Sequence, residues 1–218
     1  MADALARDLA RRWRQGEHVI IVGPTGAGKT WLAAEILQAR WRYIIAIISK
    51  PRDATLKRQF DYTWKKAKKY DDITWSAERV LLLPDARNLA SASAARYVVA
   101  DTLDQAYGAG GWTIFIDELQ QLSESWKLDT IIRTLFVTAR SNNITMCAAC
   151  QRPRRIPAEA LNQTTYVVMF HLHDEMDVAR VAEATGTNKK TLININEQLH
   201  DHMCALIDTH NGIKIYER

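Results

Sequence analysis

The most informative segment of the chain is Gly23-Pro24-Thr25-Gly26-Ala27-Gly28-Lys29-Thr30. It matches the pattern G-x-x-x-x-G-K-S/T at every fixed position. An apolar run at 18–22, typical of a buried strand, precedes it, and a stretch at 29–40 with helical periodicity follows it. Strand, glycine-rich turn and helix in this order predict a phosphate-binding loop, and a chance match would lack that context.

Individual residues of the loop have separate expected roles. Gly23, Gly26 and Gly28 let the backbone turn tightly, so that successive N–H groups converge on phosphate oxygens. The N-terminus of the following helix adds its partial positive charge. Lys29 is expected to reach the β- and γ-phosphates, and the Thr30 hydroxyl to coordinate Mg²⁺. The whole loop is therefore predicted to bind a nucleoside triphosphate.

Two adjacent acids, Asp117 and Glu118, directly follow an apolar run at 113–116. A carboxylate at the end of such a strand lies beside a phosphate loop, so Asp117 is expected to hold Mg²⁺ through water. Glu118 is expected to act as the general base for the attacking water. The alternative is a solvated acid pair that caps the next helix. An activated water serves a hydrolase and not a small-molecule kinase, so the pair favours hydrolysis.

Short apolar runs alternate with amphipathic stretches along the chain. The predicted strands lie at 18–22, 43–49, 113–116, 144–149 and 165–171. The predicted helices lie at 29–40, 91–105, 122–140 and 175–184, with another after Thr191. This alternation is typical of an α/β protein with a parallel sheet covered on both faces. Asn211-Gly212 joins two further apolar runs and predicts a C-terminal β-hairpin of 203–208 with 213–216.

The domain organisation predicted from the sequence is simple. No linker rich in Pro, Gly or Ser divides the chain, so a single P-loop domain over 1–218 is expected. It would begin with an amphipathic helix at 1–16 and carry a basic, aromatic insertion at 51–78.

The composition, 47% hydrophobic and 25% charged, is that of an ordinary globular protein. No apolar run approaches the roughly 18–20 residues of a membrane helix. The N-terminus lacks the apolar stretch of a secretion signal. A cytoplasmic protein without a membrane span is therefore expected. The net charge of +4 is compatible with a nucleic-acid partner but does not establish one.

Cysteine and histidine positions argue against a metal site. Cys147 and Cys150 lie three apart in a predicted strand, so they point to opposite faces. No second cysteine pair completes a four-ligand zinc site, and buried inert thiols are expected there and at Cys204. His171 and His173 alternate along a strand end without carboxylate or cysteine partners at ligand spacing, which favours a structural role.

A third segment runs from Arg140 through a polar turn and an apolar strand to Gln151-Arg152-Pro153. Together with the loop at 23–30 and the acid pair, this segment resembles the FtsK–HerA superfamily of DNA-translocating ATPases. That superfamily includes the genome-packaging ATPases of tailless double-stranded DNA viruses and the conjugative coupling proteins. The resemblance spans residues 19–217. It implies a RecA-like three-layer sandwich of the additional-strand catalytic-Glu type, with an extra strand between the P-loop and acid strands.

The resemblance also implies a function. It implies Mg²⁺-dependent ATP hydrolysis by a homo-oligomeric ring, a pentamer or hexamer, that translocates double-stranded DNA. Gln151 would be the sensor of the γ-phosphate or attacking water, and Arg140 the arginine finger inserted into the neighbouring subunit's site. The short chain favours a viral genome-packaging ATPase, with a capsid or portal protein as a further partner. It would reside in the host cytoplasm or with the virion.

The local pattern permits Arg140 as the finger without requiring it. On the helix predicted to end at Arg140, the apolar residues form one stripe and Arg140 lies off it. The alternative is an arginine that complements the dipole at the helix C-terminus. Other basic residues could supply a finger instead: Arg133, Arg152, Arg154 and Arg155.

Two basic segments are candidates for contact with DNA. Residues 57–70 hold six basic residues, one acid and four aromatics, a mixture that suits phosphate neutralisation with stacking. The alternative is a Lys-rich helix that buries Phe60, Trp64 and Ala67 on one face. The second segment, 152–155, directly follows the sensor Gln151.

Three other functions remain open from the sequence. The protein could be a helicase, helicase loader or plasmid-mobilisation ATPase. It could be a P-loop small-molecule or nucleotide kinase, in which case DNA would not stimulate it. It could also be a regulatory, secretion-linked or morphogenesis NTPase that binds proteins and no DNA.

Overall fold

The computed structural model describes residues 2–40, 43–49, 60, 63–68, 73, 78–84, 89–200 and 203–217, and elements are numbered through these residues. The strands are β1 (His18–Val22), β2 (Ile44–Ile47), β3 (Lys65–Ala67), β4 (Arg79–Leu82), β5 (Thr113–Ile116), β6 (Thr145–Cys150), β7 (Thr164–Phe170), β8 (Met203–Asp208) and β9 (Gly212–Glu217). The helices are α1 (Ala2–Arg12), α2 (Lys29–Gln38), α3 (Leu89–Ala109), α4 (Asp129–Thr138), α5 (Ala158–Asn162), α6 (Glu175–Thr185) and α7 (Lys189–Gln198).

The strands form one sheet in the order β3-β4-β2-β5-β6-β1-β7-β8-β9. Every pair from β3 to β7 is parallel, and β8 and β9 add an antiparallel hairpin. The predicted additional strand is β6, which lies between the P-loop strand β1 and the acid strand β5. The α/β class, the mainly parallel sheet and the C-terminal hairpin are confirmed.

Parallel pairing brings the ends of the central strands together. Val22, the last residue of β1, pairs with Cys150 at the end of β6. Ile116, the last residue of β5, pairs with Ala148 on the other side of β6. We call this side of the sheet the carboxyl edge and the opposite side the amino edge. Residues that directly follow β1, β5 and β6 therefore meet at the carboxyl edge.

The sheet lies between two layers of helices. The side chains of β1 alternate between them: Ile20 and Val22 pack with α3, α4, α6 and α7, whereas Val19 and Ile21 pack with α1 and α2. The strands β1, β2, β5 and β6 are buried along their whole length. Central strands covered on both faces are expected to be apolar throughout, and these strands are largely so.

The predicted continuous helix over 122–140 is wrong, because three separate helical segments cover this range. A π-helical turn at Gln121–Ser125 is followed by α4 and then by a 3₁₀ turn at Ala139–Asn142. Lys127 adopts a left-handed conformation with φ of 54°, which ends the first turn. The reversal lets both neighbours, Trp126 and Leu128, reach the core. The predicted apolar stripe is confirmed, since its members are buried or half-buried.

The alternative of a helix that buries Phe60, Trp64 and Ala67 is wrong for residues 65–67, which form the edge strand β3. All three side chains are nevertheless buried, and the rings of Phe60 and Trp64 contact each other edge to face at 4.9 Å. A strand buries them because the chain adds to the sheet beside β4. Most of the basic segment 57–70, and of the predicted insertion at 51–78, lies outside the described residues.

The helix α1 occupies most of the predicted N-terminal helix and is tied to the hairpin. Arg12 donates hydrogen bonds to Asp8, at 2.7 Å, and to Asp208 at the end of β8, at 3.1 Å. Tyr216 of β9 also donates to Asp8. Of the helices in the described part of the chain, none is long and apolar enough to span a membrane.

Candidate nucleotide site

The predicted phosphate loop connects β1 to α2 at the carboxyl edge. Gly28 has a φ of 92°, a conformation that strains any other residue, and it directly precedes the first helical residue. Gly23 is needed for a different reason, because a Cβ there would lie 2.8 Å from the Cβ of Phe170 on β7. No described side chain caps the N-terminus of α2. Uncapped N–H groups at a helix N-terminus form a site suited to an anion.

Lys29 lies over this loop. Its Nζ donates hydrogen bonds to the carbonyl oxygens of Gly23 and Pro24, each at 2.8 Å. The residue is buried, with 8% of its surface exposed. The loop therefore places a full positive charge beside its backbone N–H groups, which suits binding of a phosphate chain.

Thr30 and Asp117 meet at the carboxyl edge. The Thr30 hydroxyl donates to Oδ1 of Asp117 at 2.8 Å. They come together because only β6 separates the strands they follow. Two oxygen ligands this close to a phosphate loop fit Mg²⁺, which prefers oxygen. Among the described residues, no three His, Cys, Asp or Glu side chains cluster as a metal site, so oxygen ligands from this pair and from the phosphates would have to hold the ion.

Glu118 is buried and is bonded to the end of β6. Its Oε2 accepts a hydrogen bond of 2.6 Å from Nε2 of Gln151. The Oε1 of Gln151 in turn accepts one of 2.9 Å from the hydroxyl of Thr25 in the loop. The structure thus brings together the predicted base, the predicted sensor and the phosphate loop. A solvated acid pair does not describe Glu118, which is 8% exposed.

The buried thiol of Cys150, the last residue of β6, is influenced by two charged residues of the site. Burial raises its pKa, the charge of Glu118 raises it further, and the charge of Lys29 lowers it. Burial also raises the pKa of Cys147 to about 12. Both cysteines, like Cys204, are buried and form no disulfide with another described residue. Cys147 and Cys150 pack on opposite faces of the sheet. The predicted burial is confirmed, and a buried thiol with a raised pKa is expected to react slowly.

A cavity of about 600 Å³ adjoins the loop on the side of β7. Its walls include His171 and His173, whose rings contact each other edge to face at 5.2 Å, and Leu199. Nδ1 of His171 is hydrogen-bonded to the backbone oxygen of Asn196 at 2.9 Å. Aromatic and apolar walls beside a phosphate loop suit a nucleoside base. Sequence reasoning did not place these histidines in the site, because only the sheet order shows that β7 neighbours β1.

Arg140 lies at the amino edge, away from the loop of its own chain. A Cβ on Gly16, which precedes β1, would lie 3.3 Å from Cγ of Arg140. The strand β1 separates Gly16 from the loop, and its five residues span roughly 17 Å. Arg140 is exposed and cannot reach the nucleotide loop of the same subunit.

Most of the other candidate arginines form ion pairs within the chain. Arg133 pairs with two acids, at 2.6 Å each. Arg152 and Arg154 both pair with the two acids at the start of α6, at 2.7 to 3.3 Å. Arg155 is exposed, and no ion pair joins it to another described residue. The geometry therefore favours Arg140 or Arg155 as a side chain available to another molecule.

A family model matches the first part of this architecture. The model described as AAA domain (dynein-related subfamily) matches residues 18–135, which run from β1 into α4. The match covers more than half of the chain and includes the phosphate loop and the acid pair. No curated protein matches the chain by sequence.

Solved structures share the fold at low sequence identity. The genome packaging NTPase B204 from Sulfolobus turreted icosahedral virus 2, in complex with AMPPCP, has a TM-score of 0.66 and 18% identity, over 92% of this chain and 97% of that one. VirB4 of Thermoanaerobacter pseudethanolicus has a TM-score of 0.67 and 11% identity, over 92% and 89%. The pCW3 conjugation coupling protein TcpA has a TM-score of 0.58 and 14% identity, over 96% and 61%.

These three proteins are FtsK–HerA P-loop ATPases, so the predicted resemblance is confirmed at the level of the fold. The family model stops before β6, whereas the structural likeness covers 92% of the chain and so extends beyond the matched residues. Because more than half of the sequence fits the family model and an ATPase fold extends over nearly all of it, the chain belongs to the AAA domain family (dynein-related subfamily) and is a P-loop ATPase.

Proposed function

We propose that this chain is an ATP-driven translocase that packages double-stranded DNA into a viral capsid as a homo-oligomeric ring. The observation that carries the proposal is the position of Arg140, across the sheet from the loop of its own subunit. An arginine that assists hydrolysis from there must act on the nucleotide of a neighbour. Head-to-tail contacts form a ring when the rotation between subunits closes, and the proposed ring is a pentamer or hexamer.

Within one subunit, the site residues divide the chemistry. The loop N–H groups and Lys29 bind the phosphates, which sets the γ-phosphate beside β6. Thr30 and Asp117 would hold Mg²⁺, which neutralises charge on the β- and γ-phosphate oxygens. Glu118 takes the proton of the attacking water. Gln151, at the end of β6, holds that water or the γ-phosphate in line with the bond that breaks.

The adjacent subunit completes this site. Its Arg140 would place a guanidinium on the transferring phosphoryl group, where negative charge develops. Arginine fingers in other NTPases contribute on the order of 10³ to 10⁵ in rate. The ion pairs of Arg133, Arg152 and Arg154 leave these side chains less available for that role.

Two observations support DNA as the substrate that moves. B204, which shares the fold over nearly its whole length, is a genome packaging NTPase. Lys65 and Lys66 are exposed on the edge strand β3, where they could neutralise DNA phosphates. The same lysines would also prevent β3 from pairing with other chains. A capsid or portal protein would receive the ring, in the host cytoplasm or on the virion.

The test measures ATP hydrolysis, with and without double-stranded DNA, for Arg140→Ala, Glu118→Gln and their mixture. Each variant alone should lose at least about 100-fold in turnover, while Glu118→Gln still binds ATP. The mixture should regain activity, because a Glu118→Gln subunit can supply Arg140 to the intact site of an Arg140→Ala neighbour. The turnover of Arg133→Ala should stay close to that of the wild type.

The control is the double variant Glu118→Gln/Arg140→Ala, which cannot rescue Arg140→Ala because it supplies no finger. Wild-type turnover by Arg140→Ala, or no rescue in the mixture, would overturn the shared site. If DNA left the wild-type rate unchanged, DNA translocation would be wrong while ATP hydrolysis still stood.

A second candidate is an ATPase of conjugation or secretion. The fold likeness to VirB4 and to the coupling protein TcpA supports it. A plasmid-mobilisation enzyme or helicase would separate strands or favour single-stranded DNA. Stimulation by double-stranded DNA without strand separation supports packaging instead.

A further inference from the structure

Three polar side chains form a continuous hydrogen-bonded chain from the phosphate loop to the buried acid. Thr25 donates to Oε1 of Gln151 at 2.9 Å, and Nε2 of Gln151 donates to Oε2 of Glu118 at 2.6 Å. Thr25 is exposed, Gln151 half-buried and Glu118 buried, so the chain leads from the loop surface inward. The loop motif leaves position 25 unspecified, so the pattern does not require a hydroxyl there.

The chemistry of the three groups fixes how they pair. An ionised carboxylate can only accept hydrogen bonds, so Glu118 must face the NH₂ end of the Gln151 amide. The carbonyl end of that amide then points to the loop, where only a donor can satisfy it. The Thr25 hydroxyl supplies this donor. Both ends of the amide are therefore specified, and a reversed amide would set its oxygen against the carboxylate.

We propose that Thr25 is a positioning residue for ATP hydrolysis, which acts through Gln151 to hold the Glu118 carboxylate in its reactive orientation. Thr25 belongs to the loop that binds the phosphates, and Glu118 takes the proton of the attacking water. The Gln151 amide joins them across the end of β6. The geometry of the base is thus set by the loop itself. This inference rests on the proposed roles of Glu118 and Gln151, but not on DNA or on a ring.

The first test replaces Thr25 by valine, which has nearly the same shape and lacks the hydroxyl. Without DNA, the kcat of Thr25→Val should fall roughly 3- to 10-fold, the range expected for one neutral hydrogen bond. The KM for ATP and the affinity for a non-hydrolysable analogue should stay within about twofold, because the loop backbone still binds the phosphates. Thr25→Ser keeps the donor and should recover most of the lost turnover.

The second test is a double-mutant cycle with Gln151→Leu. If Thr25 acts through Gln151, adding Thr25→Val to Gln151→Leu should cause no further loss of kcat. An equal loss in both backgrounds would overturn the proposal. So would a drop in analogue affinity that matches the drop in kcat, or no recovery by Thr25→Ser. If DNA did not stimulate ATP hydrolysis, the proposed translocase function would be wrong, but the role of Thr25 would not be affected.

Discussion

Gly23 shows how little room the nucleotide loop leaves for a side chain. A Cβ at this position would lie 2.8 Å from the Cβ of Phe170. Gly23 directly follows β1, and Phe170 is the last residue of β7, which pairs with β1. Neither backbone can retreat without shifting β1 against β7. We therefore expect Gly23→Ala to weaken ATP binding at least about tenfold and to lower the free energy of unfolding by about 1–3 kcal/mol.

Gly108→Ala is the matched control for this substitution. A Cβ on Gly108 meets no atom within 4 Å, and the residue lies exposed near the end of α3. Alanine is favoured over glycine in helices by roughly 1 kcal/mol, so this variant should be at least as stable as the wild type. Equilibrium binding and denaturant unfolding compare the two. Equal losses in both would contradict the steric argument.

His18 should make the stability of the fold depend on pH. Burial lowers its pKa to about 4, and the charge of Arg140 acts in the same direction. Its Nδ1 accepts a hydrogen bond from the backbone N–H of Met146. As the pH falls below the usual value of 6.5, the unfolded chain binds a proton that the folded state refuses. The free energy of unfolding should therefore drop by roughly 3 kcal/mol between pH 6.5 and 4.

Denaturant unfolding at several pH values checks this prediction. His18→Asn keeps a hydrogen-bond acceptor but does not titrate, so its stability should change much less over the same interval. If the free energy of unfolding fell equally with pH in both proteins, groups other than His18 would cause the loss of stability.

Single residues also mark how far the sequence alone could predict the site. The loop and the acid pair Asp117-Glu118 were predicted because each follows an apolar strand, and strand ends meet in a parallel sheet. The role of Gln151 was implied by the resemblance to the FtsK–HerA superfamily. Thr25 was assigned to the loop, but its bond to Gln151 depends on side-chain geometry that no spacing encodes. Nor does the sequence show that β7, which leads into His171, lies beside β1.

At the scale of elements, buried central strands were predictable and the irregular segments were not. The strands β1 and β5 have their predicted bounds, and β6 is shifted by one residue. Their apolar runs are unambiguous because both faces are covered. The break before α4 was missed because Lys127, and no glycine, takes the left-handed conformation there. Tertiary burial of its neighbours overrides the local preference.

The contact between α1 and the C-terminal hairpin should weaken in acid. Burial alone would raise the pKa of Asp208, but hydrogen bonds from Asn211 and His210 and the charge of Arg12 lower it below its usual value of 3.8. A carboxyl whose folded pKa is depressed stabilises the fold above that value and loses the contribution as the pH falls through the folded pKa. This loss therefore occurs below pH 4, which is below the pH range in which His18 lowers the free energy of unfolding.

Asp208→Asn tests the contribution of this carboxylate at neutral pH. We expect a loss of about 2 kcal/mol in the free energy of unfolding, since several hydrogen bonds to a charged acceptor are weakened. Glu217→Gln, an exposed carboxyl in the same hairpin, is the control and should change stability by less than about 0.5 kcal/mol. Equal effects would argue that Asp208 has no special role.

At the scale of the whole molecule, the distribution of basic residues decides where DNA could contact the proposed ring. Lys65→Glu/Lys66→Glu should reduce DNA stimulation of ATP hydrolysis, because charge reversal repels phosphates at the edge of the sheet. Wild-type stimulation should itself fall steeply with added salt. Hydrolysis without DNA provides the internal reference for both effects.

The matched control reverses two neighbouring lysines elsewhere. Lys189 and Lys190 are exposed at the start of α7, so Lys189→Glu/Lys190→Glu makes the same change in net charge. It should leave DNA stimulation closer to the wild type than the change on β3 does. If both double variants lost DNA stimulation equally, stimulation would depend on the total charge of the protein and not on the lysines of β3.

The strand β6 connects the two ends of the proposed mechanism. It begins shortly after Arg140 at the amino edge and ends at Cys150, directly before Gln151, at the carboxyl edge, and it is paired on both sides. Six residues of such a strand form a stiff rod of roughly 20 Å. In a ring, Arg140 near one end of this strand would contact the ATP of a neighbouring subunit. Gln151 at the other end would contact the ATP of its own subunit. The order in which the subunits hydrolyse ATP would then follow from the direction of this strand.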